Sequence, residues 1–232
     1  MKIIGHRGAM GLEPENTLRS IGKAMEIGVD MIEFDVYVLK TGEVILMHDN
    51  KVNRTTNGRG LVRDMTYADL RRLDAGEGEH LPLLQEVLAL DPRVGLNIEI
   101  KVPEALAPTL AALRPDTRAD ILLTASDDAI MKDLEAHQTR YGLGLSRAQV
   151  KQALLGAYTF GVSFFGRALQ IPPAYRGLPL LTRQVVRAAH RASVEVHVWT
   201  INNAAEAKVY LEMGVDGIMT DDPAALRSLF KH

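Results

Sequence analysis

Cysteine is absent from the 232 residues, which excludes disulfides and zinc–thiolate sites. That composition fits a reducing compartment, and a cytoplasmic address is the expectation. Aromatic residues are scarce: one Trp, six Tyr and five Phe offer too little π surface for a base-stacking platform. Charge of one sign is lacking too. Lys and Arg number 27 against 29 Asp and Glu, a net charge of −2, so no global field draws nucleic acid or an anionic membrane, and any phosphate must be bound locally. No apolar run approaches the roughly 20 residues of a membrane span. The first such run, Ile3-Ile4, is cut at once by His6 and Arg7, too soon for a secretory signal. Nucleotide and serine-hydrolase signatures are missing as well. Gly142-Leu143-Gly144 has Arg147 where a dinucleotide fingerprint needs its third glycine, and neither a phosphate-loop Gly-Lys-Ser/Thr nor a Gly-x-Ser-x-Gly elbow occurs.

What is present has globular proportions, with 47% hydrophobic and 24% charged residues, enough for one sizeable core. Short apolar or alternating runs alternate with segments of helical spacing along the whole chain. The runs predict eight strands, at 2–5, 31–37, 95–101, 120–124, 141–145, 159–163, 195–200 and 216–220, and eight is the number that closes a parallel barrel. Asn16-Thr17 is placed to cap a helix over 18–27 that stops at Gly28. Asn203 caps 204–213 before Gly214, and Asp222-Pro223 opens a last helix over 224–230. The stretch 44–81 breaks the repeat. It holds the apolar run 44–47, the turn Asn57-Gly58-Arg59-Gly60 and a helical pattern over 67–73, and it reads as an excursion from the second strand–helix connection. No linker divides the chain, so a single domain over 1–232 with an insertion at about 44–81 is expected.

Residues two apart on a strand share a face, so Glu33 and Asp35 point one way while Phe34 points the other, and Glu99 and Lys101 share a face likewise. Buried carboxylates on apolar strands are costly unless something compensates them. A hard divalent cation, Ca²⁺ or Mg²⁺, suits oxygen donors in a chain without thiols. Taken singly, a strand-end carboxylate is ordinarily solvated or paired with a neighbouring cation. Together, at the C-terminal ends of two barrel strands, the three read as a metal site. His6-Arg7-Gly8 ends the first strand and His48-Asp49 ends the run 44–47. Two imidazoles near neutrality can exchange the roles of base and acid across a scissile bond, and the Arg7 fork matches phosphate oxygens. Lone histidines are ordinarily satisfied core or surface groups, and His80, His137, His190 and His232 are read so. His197 alternates with Glu195 and Trp199 on one strand face and is read as barrel packing. The set points to metal-assisted splitting of a phosphate ester.

Ile4-Gly5-His6-Arg7-Gly8, Glu13-Pro14-Glu15-Asn16-Thr17, Glu33-Phe34-Asp35-Val36, His48-Asp49, Arg54-Thr55-Thr56-Asn57-Gly58, Glu99-Ile100-Lys101, Val198-Trp199-Thr200-Ile201-Asn202, Gly214-Val215-Asp216-Gly217 and Thr220-Asp221-Asp222-Pro223, in this order, resemble the glycerophosphodiester phosphodiesterases. The resemblance implies an α/β fold, a TIM (β/α)8 barrel with a small insertion after the second strand, in agreement with the excursion found separately. It implies hydrolysis of a small glycerophosphodiester to sn-glycerol 3-phosphate and an alcohol. It further implies a divalent cation on Glu33, Asp35 and Glu99, general base and acid roles for His6 and His48, phosphate contacts from Arg7 and Lys101, support from Glu13 and Asn16, and Trp199 bordering the glycerol end. Ala125-Ser126-Asp127-Asp128 departs from the family's usual segment after the fourth strand, with an acid at a histidine's place. The region 161–175 departs as well. Both bear on substrate preference. Lysophospholipids cleaved on the lipase-D side and cyclic phosphodiesters are the alternative substrates, with Phe164-Phe165, Leu169 and Ile171 as an apolar lip or as core. A non-catalytic barrel binding glycerophosphate-type ligands is the remaining alternative, though a binder needs no proton shuttle.

Overall fold

The structure, a computed structural model, describes residues 1–157, 166–227 and 229. Among them eight parallel strands form the staves of a nearly closed barrel. In chain order these are Lys2–Gly5, Met31–Val38, Gly95–Ile100, Ile121–Thr124, Gly142–Leu143, Ala168–Ile171, Glu195–Val198 and Gly217–Thr220. The parallel bridge Gly144–Ala168 brings the fifth and sixth staves together. The second stave shows why these segments become strands. Its outward residues Ile32, Phe34 and Val36 pack with Ile21 and Ala24 of the surrounding helix layer, while Met31 joins Ile4, Leu122, Ala168 and Met219 in the barrel interior. Apolar runs buried on both faces are what a parallel sheet wrapped in helices demands.

The helices that position the mouth begin and end where the sequence places them. Thr17 Oγ1 accepts the Ser20 N–H (3.1 Å) at the head of Leu18–Ile27, and Gly28 closes that helix at φ 85°. Asn203 caps Ala204–Met213, which ends at Gly214 with φ 90°, and Asp222 Oδ1 accepts from Ala225 N (3.0 Å) in the last helix, Pro223–Arg227. The expected end of that helix at Phe230 lies outside the described residues, as does His232.

Two expectations differ from the fold. The sixth strand expected at 159–163 lies outside the described residues, and the stave between the fifth and seventh is Ala168–Ile171. There Leu169 and Ile171 are fully buried in the helix-facing core, which settles them as packing rather than lip, while Gln170 reaches the His197 ring (3.3 Å). Phe164 and Phe165 lie outside the described residues. In the excursion, Val44–Leu46 pairs antiparallel with Val36–Val38, but the helical pattern over 67–73 yields only Tyr67–Leu70. The chain turns back at once so that Asp74 and Asn57 exchange hydrogen bonds of 3.0 Å, which a longer helix would forbid. The excursion has its own small core, including Ile45, Met47, Val52, Val62, Leu70 and Leu81.

The end of the barrel formed by the strand starts is plugged by ion pairs. Lys2 lies 3.2 Å from Asp120 and 3.1 Å from Glu195, and Arg167 also contacts Asp120. His197 is wholly buried and contacts Glu195 at 3.0 Å, the packing role read from its strand face. His80, His137 and His190 take ordinary partners: the carbonyls of Leu73 and Asp133, and the Asp216 carboxylate. Among the described residues no helix is long and apolar enough to cross a membrane.

Candidate active site

The opposite mouth is assembled around the turn that leaves the first stave. His6 donates its backbone N–H to Thr220 O (2.9 Å), Arg7 takes φ 49° and Gly8 φ 86°, so the chain doubles back within three residues. A Cβ on Gly8 would collide with the Ser20 hydroxyl and backbone, and the Ser20 hydroxyl itself donates to Arg7 O (2.9 Å). Only glycine fits so close an approach at positive φ. The turn leaves the Arg7 N–H donating to Glu33 Oε2 (2.9 Å) and sets the His6 Nε2 atom 3.9 Å from that same oxygen.

Glu33, Asp35 and Glu99 converge as their strand spacing requires. Asp35 and Glu99 are register partners on adjacent staves, Glu33 lies two residues earlier on the same inward face, and oxygens of all three lie within 4.8 Å of one another. Glu33 and Asp35 are buried. Burial first, then the Asp35 charge, pushes the Glu33 carboxyl up to about 8. Lys101 bridges Asp35 and Glu99 at 3.2 Å each, and the Arg7 guanidinium lies 3.5 Å from Asp35. Burial draws the Lys101 ammonium down, but the two carboxylates outweigh it and its pKa ends above the ordinary value. Glu99 shows the converse: burial raises its pKa, while Lys101 and a 2.6 Å hydrogen bond from Ser126 bring it below the usual carboxylate range. Asn16 donates to Asp35 from the head of the first helix (3.2 Å). A cluster of three oxygen donors in which one carboxylate is driven toward its neutral form suits a hard divalent cation, which would relieve the mutual repulsion.

Both histidines are held by carboxylates. His6 Nδ1 donates to Asp221 Oδ1 (2.6 Å), and Asp221 accepts from Asn202 through its other oxygen (2.7 Å). Burial lowers the His6 pKa, but the Asp221 hydrogen bond and the Glu33 charge overcome it, so the imidazole ends above its ordinary value. Replacing Asp221 with asparagine removes that support. The His6 titration midpoint, read by NMR, is expected to fall; an unchanged or higher midpoint would show that Asp221 does not govern this ring. His48 Nδ1 donates to Asp49 Oδ1 (2.6 Å), and Met47 N–H bonds Asp35 O (3.0 Å), fastening the start of this loop to the mouth.

The structure therefore brings His6, Arg7, Asn16, Glu33, Asp35, Glu99 and Lys101 into one bonded cluster, with His48 beside it. Trp199 stands at the rim, 40% exposed, its backbone N–H bonded to Ile171 O (3.3 Å). Glu13 is not part of the cluster. It pairs with Arg19 (2.6 Å), whose guanidinium also reaches Glu77, while the neighbouring Glu15 bonds Arg7 at 2.7 Å. The chain passes from Glu13, which faces Arg19, to Glu15, which faces the mouth, before Asn16 turns it at φ 57° toward the helix. Sequence reasoning also left unassigned Asp221, Asn202, Asp49, Arg54 and Ser126. The first four stand inside motifs already singled out, and Ser126 stands in the segment 125–128, noted above only for its departure from the family pattern. In the departing segment, Asp127 caps the following helix by accepting the Ala129 N–H (2.7 Å).

A sequence model of the glycerophosphoryl diester phosphodiesterase family matches residues 6–225. A glycerophosphodiester phosphodiesterase of Bacillus altitudinis is 33% identical, with 96% of this chain and 95% of the relative covered. One of Caldanaerobacter subterraneus subsp. tengcongensis is 30% identical over 99% of this chain and 97% of the relative. Among solved structures, an Oleispira antarctica phosphodiesterase in complex with the product sn-glycerol-3-phosphate superposes with a TM-score of 0.84 at 25% identity, covering 98% of this chain and 96% of that one. With a matching barrel and a family match that starts at His6 and runs nearly to the last helix's end, this chain belongs to the glycerophosphoryl diester phosphodiesterase family.

Proposed function

We propose that the barrel mouth hydrolyses glycerophosphodiesters to sn-glycerol 3-phosphate and an alcohol, with Glu33, Asp35 and Glu99 holding a divalent cation and His6 and His48 moving the protons. The observation that carries this reading is the 3.9 Å separation between His6 Nε2 and Glu33 Oε2, which puts a proton-transfer group beside the acidic trio. The bound cation supplies Lewis-acid stabilisation of charge on the phosphoryl oxygens. Arg7 and Lys101 add fixed positive charge on the same side, and each already touches Asp35, so their positions are set before substrate arrives. With Nδ1 of each ring committed to a carboxylate, Nε2 is the atom left to exchange protons. One imidazole takes the proton of the attacking oxygen, that of water or of the glycerol 2-hydroxyl, as the new O–P bond forms; the other gives its proton to the departing alcohol as the old one breaks. Where the 2-hydroxyl attacks, water then opens the cyclic phosphate to sn-glycerol 3-phosphate. Trp199 packs against the glycerol carbons at the rim. The product bound in the Oleispira antarctica relative is the one this cleavage yields. The cysteine-free composition supports a cytoplasmic setting, and we read the whole chain as one catalytic unit.

Incubating the purified protein with glycerophosphocholine and Ca²⁺ or Mg²⁺ tests the reading. Equimolar sn-glycerol 3-phosphate and choline are expected; phosphocholine, or no cleavage with either ion, would refute it.

A further inference from the structure

The motif Arg54-Thr55-Thr56-Asn57-Gly58 has no part in the reaction as described, yet its first residue joins the two halves of the mouth. His48 is carried by the excursion and Arg7 by the barrel. Beyond the Met47–Asp35 backbone bond, the backbone hydrogen bonds of residues 50–62 are made within the excursion, such as Val52 N to Gly60 O and Val62 N to Asn50 O. Besides the pairing of Val44–Leu46 with Val36–Val38, the loop that follows His48 is linked to the barrel by the Arg54 guanidinium. Arg54 Nε donates to Asp49 Oδ2 (2.6 Å), the carboxylate that holds His48, while its two terminal nitrogens donate to the two oxygens of Glu15, each at 2.7 Å. Glu15 Oε1 accepts from Arg7 as well, again at 2.7 Å.

We propose that Arg54 is a positioning residue: its rigid fork ties the Asp49–His48 pair of the excursion to the Glu15–Arg7 pair of the barrel and so fixes the His48 imidazole relative to the phosphate-binding groups. The proposal rests on His48 being a proton-transfer group, as read above. Three features support it. The fork is fully used in this direction, two parallel bonds to Glu15 and the third to Asp49, an arrangement a lysine cannot reproduce. Glu15 is only 10% exposed, so the bridge is anchored in a largely desolvated carboxylate rather than on the open surface. Asp49 is held ionised, its pKa drawn down to about 2 chiefly by the Arg54 hydrogen bond, and an ionised Asp49 keeps the proton of His48 on Nδ1. The remaining motif residues shape the loop that presents Arg54: the Thr56 hydroxyl donates to Val52 O (2.8 Å) and accepts from Gly58 N (3.0 Å), and Asn57 is tied to Asp74.

Arg54→Gln and Arg54→Lys, compared with the parent for kcat, KM and melting temperature, test this. Arg54 is about half exposed, so both variants are expected to fold. A displacement of His48 of about 1 Å should cost on the order of 10²-fold in kcat. We therefore expect kcat to fall by roughly 10- to 100-fold in both variants with KM little changed. The lysine should give no rescue, and the Glu15→Gln/Arg54→Gln double variant should lose little more than the worse single one. A kcat within about twofold of the parent for Arg54→Gln, or full rescue by lysine, would overturn the proposal. A second readout is independent of turnover. In nitrogen-correlated NMR spectra of the metal-free protein the parent His48 ring should hold a single Nδ1–H tautomer, and Arg54→Gln should mix the two. If the parent cleaves no glycerophosphodiester the functional reading fails, and the tautomer comparison alone decides the positioning role; an unchanged tautomer in Arg54→Gln would refute it.

Discussion

Alanine at His6 or at His48 is expected to lower kcat by about 10²- to 10⁴-fold while the protein stays folded. Neither ring belongs to the packed core. His6 sits in a polar turn against Asp221 and Glu33, and the His48 side chain is 36% exposed, so losing either removes hydrogen bonds rather than apolar contacts. Each ring spends Nδ1 on a carboxylate 2.6 Å away, which leaves a single ring nitrogen to accept or deliver the proton. An exchange of this kind needs both rings, so the double variant should be scarcely slower than the worse single one. Steady-state kinetics on glycerophosphocholine, with circular dichroism melts alongside, check this. Near-parental kcat in both single variants would end the acid–base assignment.

The second large effect is expected from removing the cation. Chelation should abolish turnover, and Ca²⁺ or Mg²⁺ should restore it. Stability should follow with a definite pH dependence. In the metal-free protein burial and Asp35 lift the Glu33 carboxyl to about 8, so its neutral form is favoured by the fold. A carboxyl with a raised folded-state pKa contributes stability that is complete below its unfolded value and is lost as pH rises through the folded one. Metal-free protein should therefore lose melting temperature between about pH 4.5 and pH 8 through this group. A cation at 100 times its dissociation constant should restore about 2.7 kcal/mol. Binding should tighten across the same window and release a proton, since the site takes the ionised Glu33. Calorimetric titration in two buffers of different ionisation enthalpy measures that proton. Asp35→Asn should weaken binding sharply, for it removes one of three carboxylate charges at the most buried point of the site. Turnover unaffected by chelation, or a melting temperature indifferent to Ca²⁺ and Mg²⁺ at pH 8, would refute the metal assignment.

The parts of the site that could be read from the sequence are those governed by strand period. Glu33 with Asp35, and Glu99 with Lys101, had to share faces because strand side chains alternate, and adjacent parallel staves then bring the two pairs side by side. The helices bounded by Thr17 and Gly28, and by Asn203 and Gly214, were equally plain, because caps and left-handed stops act within a few residues of the backbone they satisfy. Less legible was the choice between Glu13 and Glu15, two acids of one motif. Only their remote partners tell them apart: Glu15 meets Arg7 and Glu13 meets Arg19. The sixth stave was also misplaced. Ala168–Ile171 reads in sequence as a short apolar run like several others, and only its pairing with Glu195–Val198 singles it out.

The sequence by itself determined the inward faces of the strands, the ends of the main helices and which acidic side chains share a face, since each depends on neighbours in the chain. Tertiary structure alone decided the partnerships. Asp221 reaches His6 across 215 positions, Arg54 reaches Glu15 across 39, and Ser126 reaches Glu99 across 27. A hydrogen bond is set by distances of about 3 Å, and such distances between remote residues exist only once the staves have closed and the loops at their ends have turned.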